Sequence, residues 1–469
     1  MTNQETSVAI IGYGTAGVNA LIALRNAGYT GKIQVFSNTS IPPYSPILTS
    51  DYAGGQKSWE QCFPWSAEEL AELGAEVLTG SAVVELDPAN HRIRTAMGDY
   101  SYTKCVIASG ATPMRWGFPA CDYEPLVLRT MEDAERLKAA LLRPGCRRVL
   151  VSGASLVALK SLEAALERGA EVTLVGMNPH VLDFNALPEA AIRFEQGLLR
   201  QGVRLLLGQT IQTVQVLDSG SGSGSEDCPD SASGSDPSPE SAAAGRQLQV
   251  TFSGGETAVF DEITVAHGMK CNLDFLAEGA LEMDRALLVD EWMRTSDPDV
   301  YAAGDVAQAL ELVSGEQRIV GIWKNAAVQG ACAGRAIAAE LACQPLAAED
   351  AYPGSIATNT IAVRGTLFIS AGTMELTPDR YTEIEESDDM TVIRIYQRAE
   401  ADAQADAVTD AGAGTEADAV AGTDTKPLSA ETNRRLVGFN LVCDEDVAGS
   451  KAYDLGAMLT LRIEQSVKQ

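Results

Sequence analysis

The chain has 469 residues and a formal net charge of −29 at pH 7, with 45% hydrophobic and 21% charged residues. That length allows roughly two to four domains with ample core. The acidic balance disfavours nucleic acid and anionic membrane surfaces as partners, so neither is expected, and it leaves the oligomeric state open.

The start, "MTNQETS", lacks the basic segment of a signal peptide, and the apolar run from Val8 to Leu24 is too broken by glycine and polar residues for a membrane span. Nine cysteines occur without a CxxC pair, so the expectation is a reducing cytoplasm with most thiols in the core, Cys105 among them. His91, His180 and His267 have no ligand spacing, so no metal site is expected.

The first predicted unit is "SVAIIGYGTAGVNALIAL", a buried strand, a turn and a helix, followed by a second strand at "KIQVFSN". The turn Gly12-Tyr13-Gly14-Thr15-Ala16-Gly17 has glycine where a dinucleotide needs it. Gly12 permits the tight turn, Gly14 lets the backbone approach a pyrophosphate, and Gly17 lets the helix pack close to the strand. The helix N-terminus then offers unpaired N–H groups to the phosphates. Where an acid usually meets the ribose stands Asn38, which reads equally as an uncharged hydrogen-bonding partner or as a turn residue. A second strand–turn–helix–strand unit, "VLVSGASLVALKSLEAALERGAEVTLVG", runs from Val149 to Gly176.

Residues 218–245 carry six acidic and no basic side chains, and residues 399–431 carry eight acidic side chains and one Lys. Both stretches are of low complexity and read as disordered inserts at hairpin tips. "TIQTVQVLD" and "RQLQVTFSGG" flank the first, and "MTVIRIYQR" and "RRLVGFNLVC" flank the second. Between them, "IVGIWKNAAVQGACAGRAIAAEL" (319–341) reads as an extended approach to a helix packed through small residues. From "YPGSIATNTIAVRGTLFISAG" onward, strands with period-two alternation predict a small α+β domain.

Three segments carry a family resemblance. "MRTSDPDVYAAGDVAQ" (293–308) resembles the second flavin-binding signature of the two-Rossmann flavoproteins, and "YTKCVIASGATP" (102–113) resembles their third, at Ala108-Ser109-Gly110. "VLRTMEDAERLKAAL" resembles the entry to their second nucleotide domain. Together with the first turn, these identify a resemblance to the FAD-dependent pyridine nucleotide–disulfide oxidoreductase superfamily, on its ferredoxin and nitrite reductase branch.

The resemblance implies an α/β fold with two Rossmann-like domains, the second inserted in the first, and a small C-terminal α+β domain. The implied boundaries are 1–118 and 263–345 for FAD, 119–262 for the NAD(P)-binding-like domain and 346–469 for the C-terminal domain. It implies that Asp305, after Gly304, contacts the ribityl chain of FAD. It also implies that the helix from Asn325 and Ala326 starts beside the flavin, with Lys324 adding positive charge. The loop "PPYSPILTSDYAGG" matches one that carries an Arg and a flavin-facing Lys in relatives, at about Pro46 and Asp51 here. No catalytic Cys lies in that loop, and Cys62 reads as a packed thiol, so the flavin is the redox centre.

In the family the second turn reads Gly-x-Gly-x-x-Gly and binds NAD(P)H. Read on that spacing, its positions are Ser152, Ala154 and Val157, the family's acid falls near Leu159 or Lys160, and the ribose acid becomes Gly176. The methyl at 154 crowds the pyrophosphate, the branched side chain at 157 obstructs helix packing, and NAD(P)H in the usual mode is doubtful. The first expectation is therefore an electron-transfer flavoprotein subunit, relaying electrons between FAD and an iron–sulfur or other redox protein. An autonomous NAD(P)H-dependent FAD reductase and a silent FAD-bound scaffold are the alternatives.

Overall fold

The computed structural model describes residues 6–115, 118, 121, 123–217, 247–398 and 435–467. Both acidic inserts, 218–245 and 399–431, lie outside the described residues. The chain forms two compact units, one from 1–182, 198–311 and 316–355, the other from 183–197, 312–315 and 356–469.

The first unit holds two parallel sheets. One has five strands in the order Val300–Ala302, Lys104–Ile107, Ser7–Ile11, Lys32–Phe36, Glu76–Leu78. The other has four, in the order Arg204–Leu207, Glu171–Gly176, Arg148–Ser152, Glu262–Val265. Every strand of the second sheet falls in sequence between two neighbouring strands of the first, so the second Rossmann-like sheet is inserted in the first. Runs such as "SVAII" and "RVLVS" suit such strands because parallel sheets are covered on both faces and take continuous apolar sequence. Cys105 is fully buried in this core.

The helix Thr15–Asn26 packs against the helix Trp323–Leu341, and small residues set their distance. A Cβ on Gly330 would strike the backbone carbonyl of Ala16, and one on Gly334 would strike that of Ala20. The expected small-residue packing of 323–341 is thus backbone against backbone, with no room for a methyl at either glycine.

The strands flanking the first insert, Ile211–Leu217 and Gln247–Phe252, pair antiparallel. In the second unit, Met390–Gln397 and Arg435–Asp444, which flank the other insert, do the same. Its sheet runs Thr358–Val363, Thr366–Gly372, Arg435–Asp444, Met390–Gln397, Arg380–Glu386, followed by the helix Glu445–Val467. The predicted α+β class holds, but the period-two alternation fails in the central strands. Leu367, Phe368 and Ile369 are all buried, as are Val437, Phe439, Leu441 and Val442. The sheet is covered on both faces: Phe194 stacks edge-on against Phe368, while Ala452, Leu459 and Ile463 join the core on the side of Leu367 and Ile369. Among the described residues, no helix is long and apolar enough to cross a membrane.

Gly330→Val should lower unfolding free energy by about 1–3 kcal/mol, the usual cost of overpacking, because the collision is with backbone. Denaturant unfolding of the purified variant measures this.

Candidate functional site

The site begins at the first turn. Gly12 adopts φ +109°, its N–H donates to the Phe36 carbonyl at 2.8 Å, and a Cβ there would overlap the Ala108 carbonyl. Ala108 in turn donates to the Ile11 carbonyl at 2.8 Å, so the turn is closed between two strands. Gly14 is the N-cap of the helix Thr15–Asn26 and supplies no capping side chain. The helix's own hydrogen bonds begin with Val18 N–H to the Gly14 carbonyl, which leaves the N–H groups of Thr15, Ala16 and Gly17 without helical partners. A Cβ on Gly14 would meet nothing within 4 Å. A Cβ on Gly17 would strike the Gly12 carbonyl, which is why the helix can lie so close to the strand.

The other predicted residues converge here. Gly304 has φ +83°, and a Cβ on it would lie 3.3 Å from that of Ala16 and 3.7 Å from that of Ala326. Its N–H donates to Gln329 Oε1 at 2.8 Å. Asp305 is largely buried, and its carboxylate meets the Arg129 guanidinium at 2.6 Å. Ser109 and Gly110 are fastened to Asn272: Ser109 Oγ donates to its carbonyl at 2.7 Å, and Asn272 N–H donates to the Gly110 carbonyl at 2.9 Å. The helix Trp323–Leu341 also starts without a capping side chain or an acidic first turn, and Trp323 Nε1 is a buried donor with no partner.

Four predicted residues are placed otherwise. The Asn325 carboxamide is engaged at both ends, donating to the Val320 carbonyl at 2.9 Å and accepting from Tyr352 OH at 2.7 Å. It anchors the helix start, and what remains for a ligand is its backbone N–H. Lys324 and Asn38 are exposed. Asp51, in the short helix Thr49–Gly54, turns to the helix Leu156–Glu167 and meets Lys160 Nζ at 3.1 Å. Cys62 is buried, as expected of a packed thiol, and burial pushes its pKa up. Arg129 is the functional candidate that sequence reasoning missed, although it lies in the quoted "VLRTMEDAERL". Gly14's open face, two uncapped helix starts and an orphaned indole N–H together fit a large anionic cofactor such as FAD.

The second turn repeats the first, one residue later than sequence spacing placed it. Gly153, not Ser152, has the positive φ, +120°; its N–H donates to the Val175 carbonyl at 2.8 Å, and its Cβ would meet the Ala266 carbonyl. Ala266 donates to the Ser152 carbonyl at 2.8 Å, as Ala108 does to Ile11. Ser155 is the N-cap at φ −82° and ψ 172°, matching Gly14 at −85° and −168°. Gly12, Gly14 and Gly17 therefore correspond to Gly153, Ser155 and Ala158. Ala158 is fully buried, and alanine is an accepted variant of the third glycine. Val157, expected to obstruct packing, corresponds to Ala16 and is 40% exposed. The turn is far less altered than the sequence frame implied. Its one added group at the ligand face is the Ser155 hydroxymethyl, which caps the helix by accepting from Ala158 N–H.

Two polar groups adjoin this turn. Ser152 Oγ lies 2.8 Å from His267 Nε2, and burial lowers the His267 pKa, so the imidazole is neutral at neutral pH. Lys160 is shared by Asp51 and Glu163. Burial opposes its charge, but the two carboxylates outweigh burial and raise its pKa; burial likewise raises that of Glu163 against the pull of Lys160.

The profile of the pyridine nucleotide-disulphide oxidoreductase family matches residues 6–330. The chain belongs to this family. As a member it is an FAD-dependent oxidoreductase. It is 28% identical over 313 residues to a rubredoxin-NAD(+) reductase of Pseudomonas putida, covering 66% of this chain and 74% of that one. It is 27% identical to the epsilon subunit of an NADH-dependent phenylglyoxylate dehydrogenase from Aromatoleum evansii, covering 79% and 80%. Its fold matches an NAD-dependent persulfide reductase from A. fulgidus with a TM-score of 0.75 at 22% identity, over 98% of this chain and 77% of that one.

Gly14→Val should purify folded but with most FAD lost, because its side chain enters space that the protein leaves open. Gly12→Val should instead lose the fold, since its side chain meets backbone. Flavin absorbance per chain and thermal unfolding of both variants separate the two effects.

Proposed function

We propose that this oxidoreductase carries electrons between FAD on the first turn and an iron–sulfur protein, with NAD(P)H at the second turn as the other redox substrate. The observation that carries the reading is the repetition of one glycine turn on two parallel sheets of a single unit. The iron–sulfur partner rests on the relatives, one of which is named for rubredoxin and another as a subunit of a larger dehydrogenase. The retained Gly153 turn favours NAD(P)H use over the silent scaffold.

In this reading residues 1–118 and 263–345 bind FAD, 119–262 bind the nicotinamide nucleotide, and 346–469 form the C-terminal domain. The N–H groups of Thr15, Ala16 and Gly17 would hold the FAD pyrophosphate, with Gly14 giving it room. Asp305, oriented by the Arg129 guanidinium, would accept from the ribityl hydroxyls. Ala108, Ser109 and Gly110 would wall the crevice beside Gly12. Bound FAD supplies the step from two-electron to one-electron transfer. The start of the helix Trp323–Leu341, with the backbone N–H groups of Asn325 and its neighbours, offers fixed donors and a partial positive charge to an anionic ligand edge. No cysteine is needed as a redox group: Cys62 and Cys105 are buried, and burial raises both thiol pKa values.

Anaerobic mixing with reduced nicotinamide nucleotide should bleach the flavin, and an oxidised rubredoxin or [2Fe–2S] ferredoxin should then restore its colour. A flavin reduced by the nucleotide but not reoxidised by either protein would remove the iron–sulfur partner. A flavin that the nucleotide leaves unchanged would remove the second-turn assignment.

A further inference from the structure

We propose that the second nucleotide crevice accepts NADH and NADPH with similar affinity, because Met177 stands at the position that faces the adenosine ribose. The proposal rests on the assignment of a nicotinamide nucleotide to the second turn.

The register of the repeat fixes the position. Gly12 N–H donates to Phe36 and Gly153 N–H donates to Val175, so the two strand ends align on these residues. Ser37 then corresponds to Gly176, and Asn38 to Met177. Residue 176 is crowded for a side chain. A Cβ on Gly176 would lie 3.0 Å from that of Ala154, inside ordinary contact distance. The first side chain beyond the strand end is therefore that of Met177, and it is 74% exposed.

The chemistry at this point decides between the two nucleotides. A carboxylate here accepts hydrogen bonds from the ribose hydroxyls and repels a 2′-phosphate, whereas an Arg pairs with that phosphate. A thioether does neither; it is a flexible, weakly accepting group that packs against the adenosine whichever substituent the ribose carries. The segment that follows, "MNPHVL" (177–182), contains no Asp, Glu, Lys or Arg, and His180 is its one ionisable side chain. No carboxylate, ammonium or guanidinium on this segment rewards or penalises a 2′-phosphate, and the exposure of Met177 leaves that phosphate in water.

The test is calorimetric titration of the FAD-loaded protein with NAD+ and, separately, NADP+, which reads binding without hydride transfer. The wild type should show dissociation constants within about threefold of each other. Met177→Glu should shift the ratio by about tenfold or more toward NAD+, and Met177→Arg by a similar factor toward NADP+. Flavin content and melting temperature should stay at wild-type values, since Met177 is exposed. A wild type that prefers one nucleotide by more than about tenfold, or ratios that neither substitution moves, would overturn the proposal while leaving the second-turn site in place. Binding of neither nucleotide by the wild type would overturn the site and the proposal together.

Discussion

The molecule depends on backbones touching where side chains are absent. Gly12 lies against the Ala108 carbonyl, Gly17 against the Gly12 carbonyl, Gly330 against Ala16 and Gly334 against Ala20. These contacts press the first helix onto its strand on one side and onto the helix Trp323–Leu341 on the other. Because 323–341 is held there, Gly304 and Asp305 come to rest beside Ala16 and Ala326, although they are nearly 300 residues from the first turn in sequence. The same closeness leaves Gly14 facing open space, with two sets of unshared helix N–H groups at hand. The space proposed for FAD arises here as a by-product of packing.

Burial then determines which polar groups can act. Asp305 is held by Arg129, and the Lys160 charge is shared between Asp51 and Glu163. The resemblance implies a cation in the flavin loop and an acid after the second turn. Here the acid Asp51 is in the loop and the cation Lys160 follows the turn, so the partners are present with exchanged signs. This partly buried ion pair needs both members, since loss of either leaves a charge with less water around it and no partner. The third member, Glu163, makes this group net acidic when all three are ionised, consistent with the upward shift that burial imposes on its carboxyl.

Much of this was legible in the sequence, and what was missed has physical causes. The first turn was readable because three glycines sit at fixed spacing after an unbroken apolar strand. Gly304-Asp305 and the small-residue helix were readable by family pattern. The second turn was read one residue early, since "VSGAS" has a small residue at each position and sequence does not mark where the strand ends. The hydrogen bond from Gly153 to Val175 marks it, and with that register two supposed defects, Ala154 and Val157, cease to be defects. Arg129 escaped because its partner lies 176 residues away. Asn325 looked like a ligand because its two internal partners, the Val320 carbonyl and Tyr352, become neighbours only on folding.

The central claim is that one chain carries two turns of the same geometry, each serving a different dinucleotide. Hydrogen exchange read by mass spectrometry tests it most directly, on peptides covering Gly12–Val18 and Gly153–Leu159. Removing FAD should speed exchange in the first peptide and leave the second unchanged; adding NAD+ to the FAD-loaded protein should slow exchange in the second and leave the first unchanged. A second peptide that ignores saturating NAD+, or a first peptide indifferent to the loss of FAD, would contradict the account.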